Sequence, residues 1–458
     1  MSGLAELFLA KGHWVEGSDV TTSDSVERLL QKGIPVHIGH ETQSFLNFQP
    51  DVVVVSSAIS KTNPILLLAQ KMGCKVLKRG ELLAECVNEK DGLVVAGSHG
   101  KTSTSSMLAF LLKKVGIEAS FTIGGRLSDT GDNAGLGTSP FFVAEGDESD
   151  ASFLKLKPKV LGVTNLDADH MMTYGHSFDA LVNHFADWVL GLPPSGTAVL
   201  NSDDVGTLAV LKAMEVKAPH FWNTRKLVMV GKTLPLEWEA KVFRFIELKE
   251  VVQQENQIQF QMGGSTLSLP LIGEFNVRNA LMAVAMAHSI GVNEKESLTA
   301  LKNYPGVLRR MQLLGEFQGV PIFEDYGHHP TEILASIGGL KAAYPKRRLI
   351  QVFQLHRYTR TRDLWDDFLF VLSRADHVLL FPIYPASEAK IPNITAQRLA
   401  EALQQKNQHK VSYVDSVESA FQVLNTLLEP LDLLLLQGAG DLPQELGKAL
   451  FEFSTTSL

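Results

Sequence analysis

Short apolar runs alternate with helical patterns along nearly the whole chain. Four consecutive valines occupy residues 52–55, and comparable runs occupy residues 92–96, 159–163, 349–353 and 433–436. Runs of this length indicate strands buried on both faces, and strands separated by helices indicate parallel sheets with crossover helices. The pattern therefore predicts an α/β protein.

Residues 241–271 follow a different pattern. Strand-like runs occupy residues 242–245 and 258–262, and two glycines follow the second run. Short runs joined by glycine turns are typical of antiparallel strands. We expect a small antiparallel subsheet here, attached to the sheet of the central part of the chain.

The length and the breaks in the pattern predict three domains. The chain has 458 residues, which is more than one hydrophobic core usually supports. A polar stretch at residues 87–92 and a turn signal at 303–306 interrupt the apolar pattern. The expected domains are therefore residues 1–90, 91–304 and 305–458, and the strand–helix–strand order of the last one predicts an open doubly wound sheet.

Composition excludes several classes of protein. The hydrophobic share is 45%, the net charge is −8, and neither charge sign forms a long run, so nucleic acid is not an expected partner. Cys74 and Cys86 are the two cysteines, too few for a disulfide framework. No segment reaches the ~18 apolar residues of a membrane span. We expect a cytoplasmic protein without membrane insertion.

The strongest chemical signal is a glycine-rich turn between a strand and a helix. Residues 94–103 read VVAGSHGKTS, and this context is typical of loops that bind phosphate through backbone N–H groups. A lysine and a threonine at its end suit the phosphates and the magnesium ion of ATP. A surface turn is the plain alternative. Val95 stands where the common loop has its first glycine, which argues against a generic kinase or motor.

Two further strand ends carry polar side chains. Residues 145–150 contain four carboxylates after an apolar strand, and residues 164–170 end in Asp169 and His170. Such strand ends deliver ligands to one edge of a parallel sheet, and Mg²⁺ takes few protein ligands. Taken alone, the first segment could be a solvated acidic turn and His170 a capping or core histidine.

A third cluster lies in the last domain. Residues 354–362 read QLHRYTRTR and follow a buried strand, so their arginines are expected at a crevice where they could bind carboxylate or phosphate. A solvated helix start is the alternative.

The loop G-x-H-G-K-T, the strand end E-x-D-E-S-D and the segment T-N-x-x-x-D-H occur here in that order and resemble the Mur ligase family. The resemblance extends over essentially the whole chain, and residues 145–154 and 325–332 resemble its alanine-adding branch. It implies a Rossmann-like N-terminal domain, a central P-loop ATPase domain and a C-terminal Rossmann-like domain. It also implies ATP-dependent ligation of L-alanine to UDP-N-acetylmuramic acid through an acyl phosphate, in peptidoglycan synthesis, by a monomer or weak homodimer.

The resemblance also implies roles for individual residues. ATP is expected to contact Gly97, Ser98, His99, Gly100, Lys101, Thr102, Ser103, Asn276 and Asn279. Mg²⁺ is expected on Thr102, Glu145 and His170. The residues expected to act in catalysis are Lys101, Glu145, His170, Arg310 and Asp325, with Arg310 reaching the nucleotide on domain closure.

Substrate residues are implied in both outer domains. The nucleotide sugar is expected near Ser18, Asp19, His40, Ser56 and Ser57, and the alanine and acyl phosphate near Tyr326, His328, His356, Arg357 and Arg360. The family's opening strand and most of its glycine turn, G-x-G-G-x-G-M-S-G, do not precede residue 4. We expect the natural start to lie upstream, or else this copy to bind its nucleotide sugar weakly.

Two other functions stay open at this point. A sister ligase would attach a preformed peptide to the same nucleotide sugar, and a descendant without turnover would only bind it. A generic P-loop kinase is disfavoured by residues 325–332 and 356–362.

Overall fold

The structure is a computed structural model that describes residues 1–407 and 410–455. It divides into two compact units. The first comprises residues 1–249, 261–267 and 278–305, and the second comprises residues 250–260, 268–277 and 306–458.

Helices and strands alternate through most of the described chain. The helices are α1 (Ser2–Ala10), α2 (Asp24–Gln31), α3 (Thr42–Phe48), α4 (Pro64–Lys71), α5 (Arg79–Asn88), α6 (Lys101–Lys114), α7 (Phe178–Leu190), α8 (Val205–Lys217), α9 (Glu274–Ser289), α10 (Glu294–Leu301), α11 (Pro330–Ala343), α12 (Tyr358–Asp363), α13 (Trp365–Leu372), α14 (Ala396–Asn407), α15 (Val417–Leu427) and α16 (Leu442–Thr455). The strands are β1 (Gly17–Asp19), β2 (Val36–Ile38), β3 (Val52–Val55), β4 (Lys75–Lys78), β5 (Asp91–Ala96), β6 (Ser120–Thr122), β7 (Ala134–Gly135), β8 (Phe141–Glu145), β9 (Pro158–Val163), β10 (Thr197–Asn201), β11 (Lys226–Gly231), β12 (Arg244–Gln254), β13 (Gln257–Met262), β14 (Ser265–Leu269), β15 (Gln312–Phe317), β16 (Val320–Asp325), β17 (Arg348–His356), β18 (His377–Tyr384), β19 (Val411–Tyr413) and β20 (Asp432–Gln437).

The N-terminal segment of the first unit contains two separate parallel strand pairs. β1 pairs with β2, and β3 pairs with β4. The Glu6 carboxylate in α1, 7% exposed, pairs with Arg28 in α2 at 2.6 Å and with Lys32, the residue that follows α2, at 2.7 Å. These ion pairs fix the two helices to each other, because a buried carboxylate needs a charged partner.

A large, mostly parallel sheet follows, with strand order β14-β13-β12-β11-β10-β9-β5-β8-β6-β7. β5 lies between β9 and β8 and is parallel to both. Leu93, Val94 and Val95 of β5 are fully buried, as expected for a central strand covered on both faces. The carboxyl end of β5 therefore opens in the middle of the sheet, which is where ligands bind in such folds.

The strands β12, β13 and β14 succeed one another through two-residue connections at 255–256 and 263–264. Ile258, Phe260 and Met262 of β13 are buried and alternate with more exposed residues. This alternation is typical of antiparallel strands with one covered face. It agrees with the subsheet predicted for residues 241–271.

The second unit contains a six-stranded sheet with order β15-β16-β20-β17-β18-β19, in which the β15–β16 pair is antiparallel and the other pairs are parallel. Leu433 and Leu435 of β20 pack in the core on one face, and Leu434 and Leu436 pack in the core on the other. The predicted α/β class, with parallel sheets and a doubly wound last part, is confirmed. Among the helices formed by the described residues, none combines the length and hydropathy that crossing a bilayer requires.

Candidate active site

The phosphate loop predicted from the sequence lies between β5 and α6. Gly97 and Gly100 have φ angles of 120° and 82°, a region that favours glycine. A Cβ on Gly97 would lie 2.4 Å from Thr164 Oγ1, and one on Gly100 would lie 2.5 Å from Asn279 Oδ1. The two glycines therefore let the loop pack directly against Thr164 and Asn279.

The segment after β9 holds this loop in place. The backbone N–H of Ser98 donates to the carbonyl of Asn165, and that of His99 donates to Asn165 Oδ1, both at 2.9 Å. The N–H of Asp167 donates to Ser98 Oγ at 2.8 Å, and His99 Nε2 lies 3.0 Å from Asp167 Oδ2. Two predicted ATP residues, Ser98 and His99, are thus tied to the end of a neighbouring strand.

Lys101 begins α6 and forms a buried ion pair. Its Nζ lies 2.8 Å from both carboxylate oxygens of Glu148. Burial disfavours the charged ammonium, but the Glu148 carboxylate outweighs burial, and the pKa of Lys101 is raised. Lys101 is therefore a fixed positive charge at the loop.

Glu145 ends β8 and accepts hydrogen bonds from α6 and from a loop. Thr102 Oγ1 donates to Oε2 at 3.1 Å, while Ser105 Oγ and the backbone N–H of Gly124 donate to Oε1 at 2.9 and 2.6 Å. Two of the three residues predicted to bind metal, Thr102 and Glu145, are thus in direct contact. Hydroxyl and carboxylate oxygens are ligands that Mg²⁺ prefers.

The remaining predicted residues of this region lie on neighbouring segments. His170, with φ of 55°, follows β9, and its Nε2 lies 3.5 Å from Asp169 Oδ2. Ser103 lies in the first turn of α6, where its carbonyl accepts from Ser106 Oγ at 2.9 Å. Asn276 in α9 donates from Nδ2 to the carbonyl of Ile272 at 2.8 Å.

The residues predicted to bind the nucleotide sugar lie at the carboxyl ends of β1, β2 and β3. Ser18 and Asp19 are exposed at the end of β1, and His40 follows β2, with which β1 pairs. The His40 Nδ1 atom is buried without a hydrogen-bond partner. Ser56 and Ser57 follow β3, in the other two-stranded sheet, and Ser56 Oγ accepts from the N–H of Ala58 at 3.1 Å.

Four rings form a row at strand ends of the second unit. Tyr326 lies edge-on to His328 at 5.5 Å, and His328 lies 5.2 Å from His356 between ring centres. His356 stacks on Tyr384 at 5.4 Å with an angle of 11° between the rings. Arg360, 8% exposed, approaches His356 Nδ1 at 3.3 Å through Nη1. Four of the five residues predicted to bind the amino acid are therefore neighbours.

The fifth, Arg357, has an unusual backbone. Its φ is 73° and its ψ is 136°, which is costly for a residue with a side chain. The N–H of Arg357 donates to the carbonyl of Tyr384 at 2.8 Å, and its Nε is buried without a hydrogen-bond partner. A buried guanidinium nitrogen without a partner is suited to a bound carboxylate.

Asp325, at the end of β16, is a buried carboxylate with four donors. Oδ1 accepts from Gln437 Nε2 at 2.8 Å and from Ser336 Oγ and the N–H of Gly327 at 3.0 Å, and Oδ2 accepts from the N–H of Met311 at 3.0 Å. Burial raises the pKa of Asp325. Through these bonds Asp325 positions two turns, one that contains Met311 and one that contains Gly327.

Arg310 lies on one of those turns, immediately before Met311. Its guanidinium carbon lies 5.0 Å from the centre of the Tyr326 ring, and its Nη1 lies 3.8 Å from Glu332 Oε1. Cation–π contact and ion pairing hold the guanidinium beside the row of rings.

Three family models match consecutive parts of the chain. They describe the Mur ligase family catalytic domain at residues 1–91, the Mur ligase middle domain at 95–287, and the Mur ligase glutamate ligase domain at 309–440. The chain belongs to the Mur ligase family.

Solved structures of Mur ligases and related enzymes share this fold. A UDP-N-acetylmuramate-alanine ligase from Thermotoga maritima has a TM-score of 0.81 and 22% identity, over 100% of this chain and 97% of that one. A murein peptide ligase from Psychrobacter arcticus has a TM-score of 0.70 and 24% identity, over 98% and 96%. Mycobacterium tuberculosis folylpolyglutamate synthase, solved with ADP, has a TM-score of 0.61 and 16% identity, over 81% and 92%.

Sequence reasoning missed several residues that organise the predicted groups of side chains within each unit of this Mur ligase. Glu148 lies in the acidic segment 145–150, and we assigned it no individual role from the sequence. A buried carboxylate needs a charged partner, and a loop lysine can provide one. Tyr384 ends a buried strand, which was a usable signal for a site residue. Gly124 and Gln437 carried no signal, because their contacts join segments that are distant along the chain.

Proposed function

We propose that this Mur ligase joins L-alanine to UDP-N-acetylmuramic acid at the expense of ATP, in peptidoglycan synthesis in the cytoplasm. The observation that carries the proposal is the contact between Thr102 and Glu145 beside Lys101 at the end of a phosphate loop. Similarity to the alanine ligase of Thermotoga maritima along the whole chain supports the choice of substrate. The proposed domains remain residues 1–90, 91–304 and 305–458.

Mg²⁺ fits the oxygen donors at the loop. Thr102 Oγ1 and Glu145 Oε2 lie 3.1 Å apart, and Gly124 leaves the space beside them open, since a Cβ there would lie 2.8 Å from Glu145 Oε2. We propose that Thr102 and Glu145, with His170, hold the ion. When bound, Mg²⁺ neutralises charge on the phosphates of ATP.

The loop residues would contribute mainly by positioning and by charge. In the proposed reaction a carboxylate oxygen of the sugar's lactyl group attacks the γ-phosphorus of ATP, the bond to the β-phosphate oxygen breaks, and ADP leaves. The amine of alanine then attacks the acyl phosphate, loses a proton and displaces inorganic phosphate. Lys101 and the backbone N–H groups of the first turn of α6 would hold the phosphates in line.

The second unit would hold the amino acid. Arg357 offers a buried Nε without a partner, and Arg360 is held by His356 at 3.3 Å. Two guanidinium groups at one strand end suit a single carboxylate. The row of rings beside them would give the small side chain of alanine an apolar wall.

A second candidate is a ligase that adds a preformed peptide to the same nucleotide sugar. Similarity to the murein peptide ligase from Psychrobacter arcticus, which also spans nearly the whole chain, supports it. The two candidates differ in the size of the amine substrate, and not in the phosphate loop.

The test is the release of phosphate with each substrate omitted in turn. The protein is incubated with ATP, Mg²⁺, UDP-N-acetylmuramic acid and alanine, and phosphate is measured over time. Release should require all four components. Release that continues without the nucleotide sugar would indicate a simple ATPase and would contradict the proposal.

A further inference from the structure

The ammonium of Lys101 is fully occupied within its own unit. Nζ lies 2.6 Å from the carbonyl of Gly97, 3.1 Å from that of Ser98, and 2.8 Å from each carboxylate oxygen of Glu148. An ammonium has three N–H donors, and the carbonyls of Gly97 and Ser98 and the Oε1 atom of Glu148 accept all three. A phosphate can therefore bind Lys101 only if one of these acceptors gives way.

Glu148 lies beside Lys101 on a segment that several contacts hold in place. The residue is 3% exposed, and the Tyr174 hydroxyl donates to its backbone carbonyl at 2.5 Å. On one side Asp147 pairs with Arg79 at 2.9 Å, and on the other the carbonyl of Ser149 accepts from Thr173 Oγ1 at 2.6 Å. These contacts fix the backbone on both sides of Glu148, so its carboxylate is held next to the phosphate loop.

Of these three acceptors, only Glu148 belongs to a charged group. Its attraction for Lys101 is strong because both groups are shielded from water. A phosphate brought to Lys101 is also an anion, so it competes with Glu148 for the same ammonium and is repelled by it at short range. The two backbone carbonyls exert no such repulsion.

We propose that Glu148 is a positioning residue that holds Lys101 in the nucleotide-free loop and competes with the phosphates of the incoming nucleotide for it. The inference rests on the proposed binding of ATP at residues 97–102. Glu148 then keeps the buried lysine paired when no nucleotide is present, and it lowers the affinity for those phosphates that Lys101 contacts.

Glu148→Gln separates these two effects, because glutamine keeps the size of the side chain and removes its charge. The variant should bind Mg-ATP roughly tenfold more tightly than the wild type, the scale of one partly screened repulsion between like charges. Its affinity for AMP should not change, because AMP lacks the β- and γ-phosphates that a loop lysine reaches. Without nucleotide its melting temperature should fall, and Mg-ATP should raise it by more than in the wild type.

Asp150→Asn is the matched control. Asp150 lies in the same acidic segment, is exposed, and accepts from the N–H of Ser152 at 3.0 Å, so its charge can be removed without touching Lys101. Calorimetric titration of Mg-ATP and AMP into the three proteins gives the affinities. The control should match the wild type.

The outcomes are distinct. Equal or weaker binding of Mg-ATP by Glu148→Gln would overturn the inference, and so would an equal gain in Asp150→Asn. A wild type that binds no Mg-ATP would instead refute the proposed function. If Glu148→Gln does not fold, Glu148→Asp can replace it, because aspartate is shorter by one methylene and moves the carboxylate away from Lys101. Glu148→Asp should bind Mg-ATP more tightly than the wild type. If it does not, the inference is overturned.

Discussion

Thr102 Oγ1 donates a 3.1 Å hydrogen bond to Glu145 Oε2 and so joins the first turn of α6 to the end of β8. The N–H of Gly124 donates to the other oxygen of the same carboxylate at 2.6 Å. Two strand ends and a helix start are thereby brought to one point, which is the geometry that the proposed Mg²⁺ site requires.

Gly124→Ala should weaken that site. A Cβ on Gly124 would lie 2.8 Å from Glu145 Oε2 and 3.0 Å from Thr102 Oγ1, so the carboxylate must move away. We expect the Mg²⁺ concentration for half-maximal phosphate release to rise about tenfold, the usual cost of disturbing a ligand's surroundings. Gly338→Ala is the control, because nothing lies within 4 Å of the Cβ position there. An unchanged Mg²⁺ dependence in Gly124→Ala would argue against a metal at Glu145.

Lys101→Ala should abolish turnover and keep the secondary structure, although its melting temperature should fall because the buried Glu148 loses its partner. Loss of a charge that stabilises the transferred phosphoryl group normally costs ~10²-fold or more in rate. Phosphate release and the far-ultraviolet circular dichroism spectrum measure the two properties separately. A variant that retains more than about a tenth of the wild-type rate would contradict the role given to Lys101.

Arg357→Lys should impair the use of alanine selectively. Lysine keeps the charge but cannot grip a carboxylate with two parallel hydrogen bonds, and the Nε of Arg357 is buried without a partner. The Michaelis constant for alanine should rise at least tenfold, while that for ATP should stay within about twofold. Equal effects on both substrates would mean that residues 354–362 are structural.

Arg357→Gly should be more stable than Arg357→Ala, because only glycine relieves the strained backbone at this position. The backbone of Arg357 has φ of 73° and ψ of 136°, which costs about 1–3 kcal/mol for a residue with a Cβ. Arg357→Ala keeps this cost and Arg357→Gly removes it, so the glycine variant should melt at the higher temperature although both lose alanine binding. If the alanine variant is at least as stable, the backbone of Arg357 is not strained.

Gln437→Leu should destabilise the protein more at high pH than at low pH. Burial raises the pKa of Asp325, and Gln437 opposes burial by donating to the carboxylate at 2.8 Å. The folded state therefore binds this proton more tightly than the unfolded chain, and stability falls as pH rises from ~4 through the raised pKa. Without Gln437 that loss should grow, so the gap in melting temperature from the wild type should be wider at pH 8 than at pH 4.5. An equal gap at both pH values would mean that Gln437 acts only by packing.

The strand–loop–helix unit could be predicted from the sequence because its signals are local. The apolar run of β5, the glycines at 97 and 100 and the residues after them lie within one short segment. The same holds for the order of strands and helices in the last part of the chain. Local patterning and turn chemistry decide such elements.

The contacts that tune the site could not be predicted. Glu148 reaches Lys101 across 47 positions, and Gln437 reaches Asp325 across 112. The pairing of strands brings these residues together, and apolar periodicity does not indicate which strands pair. The positive φ angle of Arg357 could not be predicted either, because an arginine gives no local signal for it.

The most direct test of the proposed function is a competition between two amines in one reaction. The protein is incubated with ATP, Mg²⁺, UDP-N-acetylmuramic acid, and equal concentrations of L-alanine and a preformed tripeptide, and the products are identified by mass spectrometry. We expect UDP-N-acetylmuramic acid linked to a single alanine to be the main product. A product that carries the tripeptide instead, or phosphate release with no ligated product, would contradict it.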